Sequence, residues 1–162
     1  MINKVYSSLR ESVSGIPDGA TIMIGGFGNS GMPSQLIDAL LDQGARNLTV
    51  VNNNAGNGET GLAALLKAGR VRKMICSFPR QVDSYVFDGL YRSGQIELEL
   101  TPQGTLAERI RAAGAGIGGF FTPTSYGTKL AQGKETRVID GKHYVFESAL
   151  RADFALIRAY RG

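Results

Sequence analysis

Short apolar runs alternate with longer amphipathic stretches along most of this chain. Val5, Leu9, Val13 and Ile16 recur near helical spacing and predict an opening helix. Residues 21–24 read as a strand. A helix then runs from Pro33 to a stop at Gly44, with Leu36, Ile37, Leu40 and Leu41 on one face. Residues 48–51 predict a second strand, followed by a helix that carries Leu62, Leu65 and Leu66 and ends on a left-handed cap at Gly69. A strand around 74–77, a helix over about 82–93 and a strand at 96–100 continue the alternation. Thr105 and Glu108 have the spacing of a capping box, which starts a helix near Thr105 and carries it to Ala113. Val138 and Ile139, then Asp140-Gly141, then Tyr144, Val145 and Phe146 form a hairpin signal. Residues 153–160 read as a last buried strand.

Alternating β and α segments with short connections predict an α/β fold, a three-layer α/β/α arrangement around a mostly parallel sheet. A small antiparallel hairpin is expected near the C-terminus. Residues 1–162 read as a single domain, without repeats, low-complexity tracts or a linker. No closing helix follows the last strand before Arg161-Gly162. Either another chain completes the sheet, or the domain is truncated at its C-terminal end.

Composition narrows the functional classes. A chain of 162 residues, 43% hydrophobic and 20% charged, has the size and balance of one soluble domain. No apolar run approaches the roughly 20 residues of a membrane span, and residues 1–10 lack the apolar core of a signal peptide. One cysteine, Cys76, leaves no internal disulfide and suits a cytoplasmic location. A net charge of +4 and a pI near 9.4 favour anionic partners. The cations are scattered, however, and only Arg70, Arg72 and Lys73 cluster. With no basic stripe interleaved with aromatics, nucleic acid is not expected as a partner.

The densest signal is the segment from Asp18 to Pro33, where the run Ile22–Ile24 empties into a glycine-rich turn. Glycines there permit positive φ and leave room for a ligand against bare peptide, at the carboxyl end of a sheet. Gly26, Gly28 and Gly31 also spell G-x-G-x-x-G, the dinucleotide fingerprint. That fingerprint needs an acid about 20 residues on, at the end of the next strand. Asn52, Asn53 and Asn54 stand there instead, so NAD is not expected. The same pattern recurs from Gly114 to Gly119 with no strand ahead of it. Chance matches are expected in a chain with 22 glycines.

Conventional catalytic groups are scarce. His143, the only histidine, sits beside the hairpin turn, and Cys76 ends an apolar run without a histidine partner. No His/Cys cluster has zinc spacing, so no metal is expected. Glu59 follows Gly58 in a strand-end loop but also suits the first turn of the next helix. The polar groups at strand ends are amides: Asn52 to Asn54, and Gln103. Such amides donate to a developing oxyanion, or hold loops as Asx turns. The chain offers a cradle and donors without a nucleophile, which amounts to half an active site.

The residues that carry a resemblance are Gly25, Gly26, Phe27, Gly31 and Pro33 with the preceding Asp18-Gly19 and Ile22–Ile24, then Asn53-Asn54-Ala55-Gly56. Further blocks run over 101–109 and over 114–117 with 121–124. In this order they resemble the α subunit of family I coenzyme A transferases over essentially the whole chain. Residues 54–59, 76–81 and 83–88 resemble the branch acting on 3-oxoadipate; the acetoacetate and acetate branches share the main blocks. Ser125 stands where glycine is usual, and Gly118-Gly119 replaces a more common pair. The resemblance implies a nucleophilic Glu on a β subunit, with succinyl-CoA and a dicarboxylate 3-oxoacid as substrates. It further implies Gln103 in the oxyanion hole and Asn53 and Asn54 around the glutamyl centre. Gly25, Gly26, Phe27, Gly28, Gly31 and Pro33 would shape the pocket beside the thioester. Arg80 is either a receptor for the distal carboxylate or a surface cation. A non-catalytic nucleotide-binding module and an inactive interaction remnant are the readings from other classes.

Overall fold

The computed structural model describes residues 3–161. They divide into two compact units, one running to Glu99 and resuming at Ala152, the other Leu100–Arg151.

The first unit holds a five-stranded sheet in the order β4-β3-β2-β1-β8. Its strands are β1 (Thr21–Ile24), β2 (Leu48–Val51), β3 (Val71–Cys76), β4 (Glu97–Leu100) and β8 (Phe154–Leu156). β1 pairs in parallel with both β2 and β8, and β2 pairs in parallel with β3. Three crossovers join the strands: α2 (Ser34–Gln43), α3 (Leu62–Lys67) and α4 (Tyr85–Arg92). Each step runs the same way along the sheet, so right-handed crossovers set these helices side by side on one face. α1 (Leu9–Val13) packs on α2, α2 on α3, and α3 on α4. The core between this layer and the sheet is formed by Ile22, Ile24, Leu48, Val50, Met74, Ile37, Leu40, Leu65 and Phe87, all buried. Leu48, Val50 and Met74 show no exposed surface, as the near-continuous apolar run of a parallel strand requires.

The second unit packs α5 (Gln103–Gly114) against an antiparallel sheet of order β5-β7-β6. Its strands are β5 (Gly119–Thr122), β6 (Thr136–Ile139) and β7 (Lys142–Ser148). Asp140 and Gly141, at φ 49° and 74°, make the tight turn that the hairpin signal predicts. Leu106, Ala112 and Val145 form its buried centre. Arg109, nearly buried, donates from Nε to the Ser148 carbonyl at 2.8 Å and from Nη1 to Thr101 Oγ1 at 3.3 Å.

The α/β class, the mostly parallel sheet and the antiparallel piece agree with expectation; several boundaries do not. The opening helix starts at Leu9, capped by Ser8, whose hydroxyl accepts from the Glu11 N–H. Val5 lies outside it and is exposed. Pro33 takes the position before α2 rather than its first turn. The capping box is overturned. Pro102 sets the start of α5 two residues early, and Thr105 is buried inside the helix. β3 starts at Val71, ahead of the expected Met74, because the exposed Arg72 and half-buried Lys73 break the apolar run. The apolar pattern does not predict strand β5, which turns the hairpin into a three-stranded sheet. Its residues include Gly119, where a Cβ would lie 2.7 Å from the Glu147 carbonyl oxygen. The last strand is only Phe154–Leu156, and Ile157 beyond it is exposed.

Candidate functional site

β1, β2 and β3 run parallel, so the loops leaving them gather at one edge of the sheet. These loops carry Gly25 to Pro33, Asn53 and Asn54, and Arg80.

The first loop is a tight turn. Phe27 and Ser30 exchange backbone hydrogen bonds of 2.9 and 3.0 Å around Gly28 and Asn29. Gly26 has φ 118°, and a Cβ there would lie 3.2 Å from the Met32 backbone nitrogen. The space a Cβ would need at this glycine is taken by the chain's own backbone. Gly28 and Gly31 have positive φ without that crowding. Gly25 donates its N–H to the Leu156 carbonyl of β8 at 2.9 Å. The Phe27 side chain is exposed, and Pro33 is buried.

The second loop is built from amides. Asn52, almost fully buried, donates from Nδ2 to the Ile24 carbonyl at 2.6 Å and accepts the Asn54 N–H on Oδ1 at 2.9 Å. Asn54 accepts the Gly56 N–H on its own Oδ1 at 2.8 Å, an Asx turn. Its Nδ2 is buried and has no partner. An orphaned buried N–H is costly, and a water or a ligand acceptor would satisfy it. Asn53 ties β2 to β3 through its carbonyl, which accepts from Ser77 and Phe78 at 3.2 and 2.9 Å.

Ser84 locks the second and third loops together, although nothing in the apolar pattern singles it out. Its buried hydroxyl lies 3.0 Å from the Gly56 carbonyl and 3.2 Å from Asn57 Oδ1, and it accepts the Gln81 N–H at 2.9 Å. Asn57 Nδ2 donates to Gln81 Oε1. Arg80 is paired: its Nε stands 2.6 Å from Asp88 Oδ1, with the side chain more than half exposed.

The candidate nucleophiles are disarmed. Burial pushes the Cys76 thiol up to about 12, so it stays protonated at neutral pH. Glu59 is held below its usual range by the hydrogen bond and charge of Lys67, 2.8 Å away. In the second unit His143 stacks on Tyr126 with ring centroids 4.4 Å apart. Gln103 opens α5 in that unit and is exposed. Gly114 to Gly119, the second glycine-rich pattern, follows a helix and enters a strand, the reverse of a dinucleotide turn. Among the described residues no group of three or more His, Cys, Asp or Glu could hold a metal ion. Nor is any helix among them long and apolar enough to cross a membrane.

The α/β sheet presents glycines and amides from its strand-end loops, groups suited to holding a carbonyl. Residues 6–162 match the family model for coenzyme A transferase, and the chain belongs to that family. Among its relatives, a 3-oxoadipate CoA-transferase subunit of Pseudomonas putida is 69% identical over 162 residues. That match covers 100% of this chain and 70% of the relative. A succinyl-CoA:3-ketoacid coenzyme A transferase subunit of Xanthomonas campestris pv. campestris is 51% identical over 159 residues, covering 98% and 65%. Of the solved structures, the acyl-CoA transferase apoenzyme of Escherichia coli O157:H7 superposes with a TM-score of 0.81 at 28% identity. It covers 94% of this chain, which spans 33% of that one.

Proposed function

We propose that this chain is the α-type half of a CoA-transferase that moves CoA from succinyl-CoA to a 3-oxoacid, 3-oxoadipate in first place. The observation that carries the reading is the amide cluster at the carboxyl ends of β1 and β2. It has a buried, unpartnered Asn54 N–H and lies beside a thiol that cannot ionise near neutrality. The site can hold and polarise a carbonyl, but it needs a nucleophile from another chain. The 69% identity to one subunit of a 3-oxoadipate enzyme supports both the partner and the acceptor.

The chemistry then divides between two subunits. A Glu carboxylate of the partner adds to the thioester carbonyl of succinyl-CoA, and the C–S bond breaks to release CoA thiolate. The product is a succinyl-glutamyl anhydride. The thiolate attacks the glutamyl carbonyl, succinate leaves, and a glutamyl-CoA thioester remains. A carboxylate of 3-oxoadipate repeats the sequence in reverse, and CoA departs as 3-oxoadipyl-CoA with the Glu regenerated. Each addition places negative charge on a carbonyl oxygen. Gln103 serves as the amide donor to that oxygen, and Asn53 and Asn54 position the glutamyl centre. Coenzyme A is a co-substrate here, and the chemistry is complete without metal or NAD. Acetoacetate is the second reading for the acceptor, favoured by the 51% identity to a succinyl-CoA:3-ketoacid enzyme's subunit.

The test mixes this chain with the cognate β subunit, succinyl-CoA and 3-oxoadipate, and measures 3-oxoadipyl-CoA. Turnover only in the mixture is expected. Turnover by this chain alone would sink the half-site reading.

A further inference from the structure

A cleft of about 210 Å³ opens between the first and second loops, next to the glycine turn. Met32 and Leu62 give it apolar wall, while Asn29, Ser34, Asn57 and Thr60 bring polar groups. Asn57 is committed to Gln81 and Ser84. The Asn29 amide and the Ser34 and Thr60 hydroxyls have no hydrogen bond to protein among the described residues. At roughly 30 Å³ per water the space equals about seven waters, enough for a short acyl tail.

We propose that this cleft receives the distal carboxylate of the dicarboxylic acyl group. In this assignment Ser34 and Thr60 set the preference for dicarboxylic over monocarboxylic acids. The assignment rests on the CoA-transferase reading and adds the subsite for the far end of the substrate. Three uncommitted donors face an acceptor-only group, and apolar side chains flank the methylenes that precede it. No acidic side chain lines the cleft to repel it. Glu59, the neighbour of Thr60, is engaged by Lys67 at 2.8 Å. Arg80, the obvious cation nearby, already carries Asp88 on its Nε. These three residues are exposed, so a carboxylate that replaces water on their donors gains hydrogen bonds that a shorter, monocarboxylic substrate does not make.

The experiment uses the assembled complex containing the β subunit, in which kcat/KM is compared for 3-oxoadipate and acetoacetate. The variants are Ser34→Ala, Thr60→Val, both together, Ser34→Thr and Arg80→Ala. The double variant should lose about 10- to 100-fold with 3-oxoadipate, chiefly in KM, and stay within about twofold with acetoacetate. Ser34→Thr, which keeps the hydroxyl, should keep most of the preference. An equal loss with both acids, no loss, or a selective loss only in Arg80→Ala would overturn the cleft assignment. The single variants decide the matter if the double variant folds poorly. An inactive wild-type complex would instead overturn the functional reading, and this subsite with it.

Discussion

Asn52 fastens the end of β2 to the end of β1: its Nδ2 donates to the Ile24 carbonyl oxygen at 2.6 Å, from a side chain almost wholly buried. The same side chain accepts the Asn54 N–H, so one amide both joins two strands and shapes the loop that carries the site. Substitution Asn52→Ala leaves a buried carbonyl and a buried N–H without partners. Each orphan costs about 1–3 kcal/mol. Urea unfolding should show a loss of that order, and turnover of the complex should fall because Asn54 loses its anchor. A variant as stable and active as the wild type would show that water replaces the amide at no cost.

Gly26 and Gly28 differ by only two positions, yet their demands are unequal. Both have positive φ, but only at Gly26 would a side chain meet backbone at 3.2 Å. Gly26→Ala should therefore disturb the whole turn, with strain of about 1–3 kcal/mol and a large loss of turnover. Gly28→Asn suits the left-handed region and should be nearly neutral for stability. The two variants are compared by thermal unfolding and by activity with the β subunit. Equal effects would contradict the crowding argument.

Much of the parallel sheet is legible in the sequence because a strand buried on both sides leaves a near-continuous apolar run, as in Leu48–Val51, where Thr49 alone is polar. The cap at Gly44 is legible for a similar reason, since its φ of 97° suits glycine far better than other residues. The start of α5 is not, because Thr105 and Glu108 fit a capping box while Pro102 imposes the actual start. β5 leaves no signal because Gly119, Phe120, Phe121 and Thr122 are all half-buried and show no alternation. At the site, the amides are visible as residue types at a strand end. Which amide serves architecture and which keeps an N–H free is set by partners 28 residues away, as with Asn52 and Ile24. The network through Ser84 is equally long-range and leaves no periodic trace.

Ser125 sits at φ 72°, in the left-handed region that favours glycine. A side chain costs about 1–2 kcal/mol there, against about 0.5–1 kcal/mol of extra chain entropy for glycine in the unfolded state. Ser125→Gly should raise stability by up to about 1 kcal/mol, read as a higher urea midpoint at unchanged slope. A lower midpoint would mean that a serine contact outweighs the strain.

Cys76 is wholly buried, and its thiol is pushed up from 9.0 to about 12 by desolvation. The neutral form is the one the fold favours, so this stability is fully present below the unfolded value of 9.0. It is lost as pH rises from there towards about 12. Native protein at about pH 8 should resist thiol reagents that label it at once in denaturant. Cys76→Ala should retain turnover while losing some packing. Rapid labelling of the native state, or a stable but inactive Cys76→Ala variant, would return the thiol to the list of reacting groups.

Gln103 stands on the first turn of α5 with its side chain exposed, in a chain whose Cys76 is buried and whose Glu59 is paired with Lys67. An oxyanion donor acts where charge develops, so it lowers the barrier more than it strengthens ground-state binding. Gln103→Ala should reduce kcat of the assembled enzyme by about 10²–10³, with KM for succinyl-CoA changed little. Gln103→Glu should be at least as damaging, since a carboxylate would face the developing negative charge. Steady-state kinetics with both substrates reads the split directly. A raised KM at unchanged kcat would assign Gln103 to substrate binding, and the oxyanion would then need a donor from the partner subunit or from a backbone N–H.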